Sequence, residues 1–571
     1  MSKKVENRDI AKSIINIVGV NTSNFVNIAN IKVDRYTNHT PGRLNTVITI
    51  PQIAIIPRTI YINISNIVQL YPTYVYTRYM KNFNWKHFLI IFSVLLLGAA
   101  IFFYKIQDQY MWTDEVFSFN AAKMLIEKGE PIYDSGLYYG RSSIYHQILA
   151  WSMQIFGQNE FGSRILNIPF ILGTALILYF VQVKKNWRLA LISTSIYLST
   201  NFTIALSRET RMYAMAQFVF IAMIFLSYKT FTLLQDVIER RKNIKEVITI
   251  KNIFLLLLTV ISGYLTYNTQ PIAGIFILSV ITYFILISIL KKNWKYITLG
   301  ILGILALFLI VYWKYQTFDL ISWFGSLSPE WADTIVPTYY SVITVRNIPW
   351  ILLSILPIIY LIIKKKDLFY IYLFSILSTF TLFLSLQPAQ HERYWQILIP
   401  IILITAISSI WDFTKDLKGN TKKIFLYGSI WAITISQGFF AVKEVSEIDT
   451  YTQNSIYQYK KFEFNKTFEY LNTNLTEEEV LIADYHSAMT LIAKGYDVKN
   501  ILITQHVLDI EGRNYEIYFN TPYLVYTDEN MEKLQTENVI IVIRDYENFE
   551  GIDKYFTKVD GFEKPVIYIT K

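Results

Sequence analysis

The 571-residue sequence contains no cysteine. Disulfides, thiol nucleophiles and cysteine-ligated metals are therefore excluded, whichever side of a membrane its loops occupy. Charge is scarce as well: Asp, Glu, Lys and Arg make up 17% of the chain, against 53% hydrophobic and 16% aromatic residues. A chain this long and this apolar does not fold as one soluble domain, and it reads as a polytopic α-helical membrane protein. No cleavable signal peptide is visible at Met1. The first long apolar run begins near Phe88 and has no convincing cleavage site after it, so Phe88 to Tyr104 is expected to be a retained span. The formal charge of +9 is not a nucleic-acid signature, because Lys and Arg fall in short clusters between apolar runs, where membrane topology accounts for them.

About eleven runs approach the length a helix needs to cross the hydrocarbon core. They are Phe88 to Tyr104, Ile165 to Val183, Leu189 to Leu206, Met212 to Leu226, Ile253 to Tyr267, Pro271 to Leu290, Tyr296 to Trp313, Ile348 to Ile363, Leu368 to Leu386, Tyr394 to Trp411 and Ile424 to Val442. Alternate connections are basic: Lys184, Lys185 and Arg188; Arg240, Arg241, Lys242 and Lys245; Lys291, Lys292 and Lys295; Lys364 to Lys366; Lys415, Lys418, Lys422 and Lys423. Lys and Arg are retained in the cytoplasm during insertion, so this side is expected to be cytoplasmic and the other extracytoplasmic. Within residues 1–80, Val47 to Ile67 alternates β-branched and polar positions without a domain signature; the segment is placed on the cytoplasmic side and assigned no function.

What the outer side holds is acidic. The connection of residues 107–162 is longer than an idle loop needs to be, and Trp112-Thr113-Asp114-Glu115 sits at its start. Beyond the acids, Phe117 to Ile126 interleaves apolar residues with Asn120 and Lys123 at helical spacing, as suits a segment lying in the membrane interface. Short outer connections carry isolated charges at helix ends: Arg208, Glu209 and Arg211 in Ser207-Arg208-Glu209-Thr210-Arg211, then Arg346, then His391, Arg393 and Tyr394 in Gln390-His391-Glu392-Arg393-Tyr394. A single arginine at such a place commonly snorkels to lipid headgroups. Several, confined with two carboxylates to one membrane face, are what a reaction on a lipid phosphate would need.

Residues 443–571 are polar and of domain size, with short apolar runs such as Val480 to Ala483, Asn500 to Ile503 and Val539 to Ile543 alternating with helical spacing; they read as an outer α/β domain. It has no glycine-rich phosphate loop and no acid-base pair at a convincing spacing, so it is expected to be substrate-facing or structural.

Three motifs together resemble a known group. They are Trp112-Thr113-Asp114-Glu115, Phe156-Gly157-Gln158-Asn159-Glu160-Phe161-Gly162-Ser163-Arg164, and Ser207-Arg208-Glu209-Thr210-Arg211-Met212-Tyr213-Ala214. The resemblance is to the multi-span glycosyltransferases that use polyprenyl-phosphate sugars, including the protein O-mannosyltransferases and the aminoarabinose transferases of lipid A. It covers Phe88 to about Trp411. It implies the membrane-embedded fold called GT-C, an α/β outer domain after the spans, and inverting transfer of one sugar from a polyprenyl monophosphate to a protein, glycan or lipid acceptor at the outer membrane face. In the resembling enzymes the first acid of the motif is the catalytic one.

The residues fit that chemistry on their own terms. An acceptor hydroxyl attacking the anomeric carbon must lose its proton to a base near neutral pH, a role for Asp114. Departing polyprenyl phosphate gains charge, which a guanidinium stabilises more in the transition state than in the ground state; Arg208, Arg211 and Arg393 are the candidates. Glu115 adjoins Asp114 but faces another way on any regular element, so it has a different role, positioning the loop together with Arg164. Where the aminoarabinose transferases carry a lysine-proline pair and the mannosyltransferases a histidine and proline, this chain reads Tyr139-Gly140-Arg141-Ser142-Ser143-Ile144-Tyr145-His146, so Arg141 is the candidate cation and His146 the candidate histidine. No cofactor is required by this chemistry. Asp114, Glu209 and His391 would be the ligands of a divalent metal, although no local spacing compels one. Two rivals stand beside this reading. A lipid-linked sugar transporter would carry charge inside its spans, which are nearly free of it; a non-catalytic cell-envelope assembly subunit would use the outer domain to bind polymer. A ligase or polymerase acting on pyrophosphate-linked glycans would keep its key residues in a later outer loop.

Overall fold

The computed structural model describes residues 85–107, 111, 113–133, 135–239, 241, 243–270, 274–301, 305, 346–385, 396–446, 464–505, 508, 513–516, 519–544, 548–562 and 565–570. The N-terminal residues 1–80, Trp112, His391, Arg393, Tyr394 and more than half of the run expected as a span at Tyr296 to Trp313 lie outside the described residues.

The chain enters through α1 (Trp85–Phe103), which buries Ile91 and Phe102 on one side and exposes Leu89, Phe92, Leu96 and Leu97 on the other. The first long connection then folds into α2 (Thr113–Lys128), α3 (Ser143–Phe156) and the single turn α4 (Glu160–Arg164). Helices α5 (Asn167–Val183), α6 (Trp187–Leu198), α7 (Asn201–Ser207), α8 (Tyr213–Ile238), α9 (Ile250–Thr269) and α10 (Ile275–Lys291) follow. Later come α11 (Arg346–Ile363), α12 (Leu368–Ser385), α13 (Ile399–Thr414) and α14 (Gly419–Ser446). Sequence neighbours α5 and α6 pack together, as do α8 and α9, while α10 meets α12 and α11 meets α13.

Among the described residues, five helical segments are long and apolar enough to cross a membrane: Trp85–Phe103, Glu160–Val183, Tyr213–Ile238, Ile250–Thr269 and Gln396–Thr414. Three shorter apolar helices, Ile275–Lys291, Leu353–Ile363 and Leu368–Leu384, accompany them. The expected count of about eleven spans is not confirmed among the described residues. The run Leu189 to Leu206 is two helices, because Thr200 leaves the helical conformation and its side chain caps α7 by accepting from the Thr203 amide. The run from Met212 continues well past Leu226 to Ile238. Inside the bundle polar side chains pair with one another, as where Ser193 Oγ donates to Gln182 at 2.8 Å and Gln235 donates to Tyr283 at 2.6 Å, which answers the cost of polar atoms in an apolar interior.

The α/β domain begins with α15 (Phe464–Asn474) and continues through β1 (Val480–Asp484), α16 (Tyr485–Ala493), β2 (Asn500–Ile503), β3 (Tyr523–Val525), α17 (Asp528–Leu534), β4 (Val539–Ile543), β5 (Phe556–Lys558) and β6 (Val566–Thr570). Its six-stranded sheet has the order β3-β2-β1-β4-β6-β5. The first four are parallel, while β6 runs antiparallel to both β4 and β5. Strand β4 is an unbroken apolar run because both of its faces are covered: Ile540 and Val542 join the core shared with the membrane helices, and Val539, Ile541 and Ile543 join a second cluster with Met531 and Tyr568. That first core is continuous from the helical bundle through the first long connection into the sheet.

Candidate active site

Helix α2 opens on the two acids, and their side chains part at once. Glu115 turns inward. Arg164 donates through Nε and Nη2 to its two carboxylate oxygens at 3.0 and 3.1 Å, the two side chains being only 2% and 1% exposed. The Thr210 amide adds a 2.6 Å bond to Glu115 Oε1, and Arg164 Nη1 donates to the Ile106 carbonyl at 3.0 Å. This carboxylate therefore ties the end of α1, the turn α4 and the connection after α7 into one knot. A two-pronged, fully hydrogen-bonded pair is the form in which buried opposite charges are tolerated.

Asp114 turns the other way. Its side chain is 25% exposed, with Arg211 Nη2 at 3.6 Å from one carboxylate oxygen. Arg211 is itself buried. Its Nη1 donates to the Asp114 carbonyl at 2.8 Å and to Ser118 Oγ at 3.0 Å, with Tyr139 Oη at 3.5 Å, while its Nε is buried without a hydrogen-bond partner. Burial works against this guanidinium's charge, but Tyr213, Asp114 and Tyr139 outweigh it and raise its pKa above the ordinary value. Of the two adjacent acids, Asp114 alone reaches solvent, and it does so beside a cation that cannot leave.

The other expected residues take up distinct places. Arg208 is buried and donates through Nη2 to the carbonyls of Ile101 and Tyr104 at 3.2 and 2.9 Å, closing the C-terminal end of α1, where helix carbonyls lack partners. Glu209 is buried in the same connection, and its carbonyl accepts from Asn167. Arg141 is exposed at the start of α3. Next to it Ser142 adopts φ 49° and donates to the Thr269 carbonyl at 2.6 Å, anchoring this turn on α9. His146 is buried edge-on to Tyr139 and Tyr145; its Nδ1 donates to the Ser142 carbonyl at 3.0 Å, and its Nε2 has no partner. Burial first, and then the nearby Arg211 charge, push its pKa down to about 3, so the ring is neutral. Burial likewise pushes the Tyr145 hydroxyl well above its ordinary range. Among the described residues no group of three His, Asp or Glu side chains is placed to hold a metal ion, and His391 lies outside them.

The glycines of the second motif have a steric role. A Cβ on Gly162 would lie 1.9 Å from the Gly157 carbonyl oxygen, and Gly157 has φ 102°. Close backbone approach there lets Asn159 cap α4 through the Gly162 amide and sets Arg164 one turn later.

Helix α2 differs from expectation in its surroundings. It does not lie open in an interface: Val116 through Ala122 are all buried, with α3 on one side and α16 of the α/β domain on another. A helix covered all round can be apolar all round. Two contacts from that domain escaped the sequence reading. His486 Nδ1 lies 2.7 Å from Thr113 Oγ1, and the Phe519 ring stacks on Phe117 with centroids 6.3 Å apart. The only trace of the first is a histidine, a threonine and a lysine spaced four apart at 486, 490 and 494.

No family model and no curated protein sequence matches the chain. Solved structures do. ArnT from Cupriavidus metallidurans in the apo state superposes with a TM-score of 0.52 at 10% identity, over 84% of this chain and 98% of that one. The same protein bound to undecaprenyl phosphate gives 0.50 at 11% identity, over 84% of this chain and 98% of that one. The archaeal oligosaccharyltransferase AglB from Archaeoglobus fulgidus, in complex with an inhibitory peptide and a dolichol-phosphate, gives 0.52 at 10% identity, over 84% of this chain and 74% of that one. At such identity the likeness is one of architecture, and the architecture is that of a membrane protein with the GT-C fold and an α/β domain after its membrane helices.

Proposed function

We propose that this protein is a membrane glycosyltransferase that moves one sugar, with inversion, from a polyprenyl monophosphate to an acceptor hydroxyl at the outer membrane face. The observation that carries the reading is the divergence of the two adjacent acids: Glu115 is spent in a buried pair with Arg164, and Asp114 stands 25% exposed beside Arg211. Asp114 is the base that takes the acceptor's proton as the new bond forms. Arg211, whose Nη2 lies 3.6 Å from that carboxylate, is the cation that meets the departing phosphate as charge develops there. Arg208 adds positive charge from the end of α1, and exposed Arg141 meets the lipid phosphate from outside; Arg393 is the remaining candidate for that role. The shared fold with proteins solved with undecaprenyl phosphate and dolichol-phosphate supports a lipid-phosphate donor. Sugar and acceptor are decided by contacts specific to this chain.

The test is sugar release by purified protein in lipid from a panel of labelled polyprenyl-phosphate sugars, with wild type compared to Asp114→Asn. Turnover in the variant should fall by ~10³-fold, within the range a general base supplies, with donor binding retained. Equal turnover in the two proteins removes Asp114 from the mechanism. Loss of donor binding in Arg211→Ala is expected alongside.

A further inference from the structure

The polar contacts from α16 to the acid-bearing loop lie along one edge of that helix. Along α16 and its C-cap, His486 Nδ1 meets Thr113 Oγ1 at 2.7 Å, Thr490 Oγ1 donates to the Met111 carbonyl at 3.4 Å, and Lys494 Nζ pairs with Glu160 Oε1 at 2.5 Å. Residues four apart on a helix share a face, so these three form a single polar stripe. Its targets are not scattered. Met111 and Thr113 flank the entry into α2, with Asp114 the next residue, and Glu160 opens α4, the turn that delivers Arg164 to Glu115.

The interface beneath the stripe is not tightly filled. A cavity of about 180 Å³ lies between Met111 and Phe119 on the loop side and Thr490, Ala493 and Lys494 on the domain side. Where side chains leave a gap of that size, dispersion contacts are lost across it, and the polar pairs that bridge it carry a larger share of the register. Asp484 steadies the donor end, since its side chain caps α16 through the Ser487 amide at 3.0 Å. A second point of attachment, Phe519 on Phe117 and Tyr133, holds the other side of α2.

We propose that the α/β domain sets the position of Asp114 through this stripe, with His486 as the positioning residue acting through Thr113. The inference rests on the glycosyltransferase reading for its kinetic consequence but not for its structural one. Undocking of α16 frees the entry of α2, so the base loses its register with the reacting atoms although the donor site on the helical bundle persists.

The test uses the full chain in lipid nanodiscs and reads amide hydrogen exchange in peptides covering residues 111–119, together with turnover. His486→Ala should speed exchange of that segment about fivefold, the effect of one lost hydrogen bond, and lower kcat with the KM for donor unchanged. His486→Asn places an amide where Nδ1 was and should restore both. Thr113→Val should reproduce the alanine variant, and the double variant should be no worse than either single one, as coupling through one bond requires. Unchanged exchange in His486→Ala overturns the positioning role whatever turnover does. Absent turnover in wild type overturns the glycosyltransferase reading instead, while the exchange experiment, needing no substrate, still decides the positioning.

Discussion

Opposite ends of the helical bundle use the same residue types in opposite ways. At the end carrying Asp114, the pair Glu115–Arg164 is dry, two-pronged and supplemented by backbone groups. At the far ends of α5, α8, α10 and α13 the pairs are wetter: Lys185 with Asp412, Lys291 with Glu239, Lys415 with Asp412, and Arg241 with Asp236, their basic side chains 22% to 61% exposed. Helix α8 runs from one end to the other, from Tyr213 beside Arg211 to Ile238 beside Glu239, roughly 39 Å at the usual rise. Between those ends the basic partners change from buried to exposed. The difference teaches where electrostatics specifies geometry and where it only aids solvation and topology. In water a pair is worth little, since each partner is content alone; in a dry site a charge without its partner is costly.

Three experiments break or sharpen this contrast. Arg164→Ala strands the Glu115 carboxylate in a site that is 2% exposed; it should destabilise the protein by about 3–5 kcal/mol, read as a large drop in Tm in detergent or nanodiscs. A drop of less than ~1 kcal/mol would mean that water reaches the pair and that the dry end is not dry. Next in size is the acid response of His146. Its folded pKa is pushed down from 6.5 to about 3, so below about pH 6.5 the unfolded chain takes up a proton that the folded one refuses. Stability from this group is complete above pH 6.5 and falls as pH drops toward 3, by about 2 kcal/mol at pH 5. His146→Gln should flatten the Tm profile between pH 7 and pH 5 relative to wild type, and a parallel profile would show the ring to be solvated. Smallest is Lys415→Ala at the wet end. Its side chain is 52% exposed, and the change should cost under ~1 kcal/mol and vanish in high salt.

Much of the molecule is legible in the residues. The runs that became α1, α5, α8 and α13, the strands at Asn500–Ile503 and Val539–Ile543, and the polar α/β domain all follow from hydropathy and period. Strands β3, β5 and β6 were not read, because three-residue strands leave too short a pattern and β6 pairs with β4 across a long stretch of chain. The break at Thr200 was missed for a related reason. Apolar content continues through it, and only a local cap marks the helix end. Arg208 and Arg211 read alike as charges at a helix end, yet they are directed to different partners, Arg208 closing α1 and Arg211 holding Asp114.

The sequence by itself determined that this is a cysteine-free, mostly apolar chain with long membrane-length helices, basic connections alternating with acidic ones, and a pair of adjacent carboxylates in its first long connection. Those are properties of composition and order, and hydrophobic periodicity carries them locally. Only the tertiary structure decided which carboxylate is buried and which is open. Glu115 and Arg164 are far apart in the chain, as are Thr113 and His486, and such pairs exist because packing brings their elements together. Neighbours in sequence received unlike fates, since burial and partnership are set by what folds against a residue rather than by what precedes it.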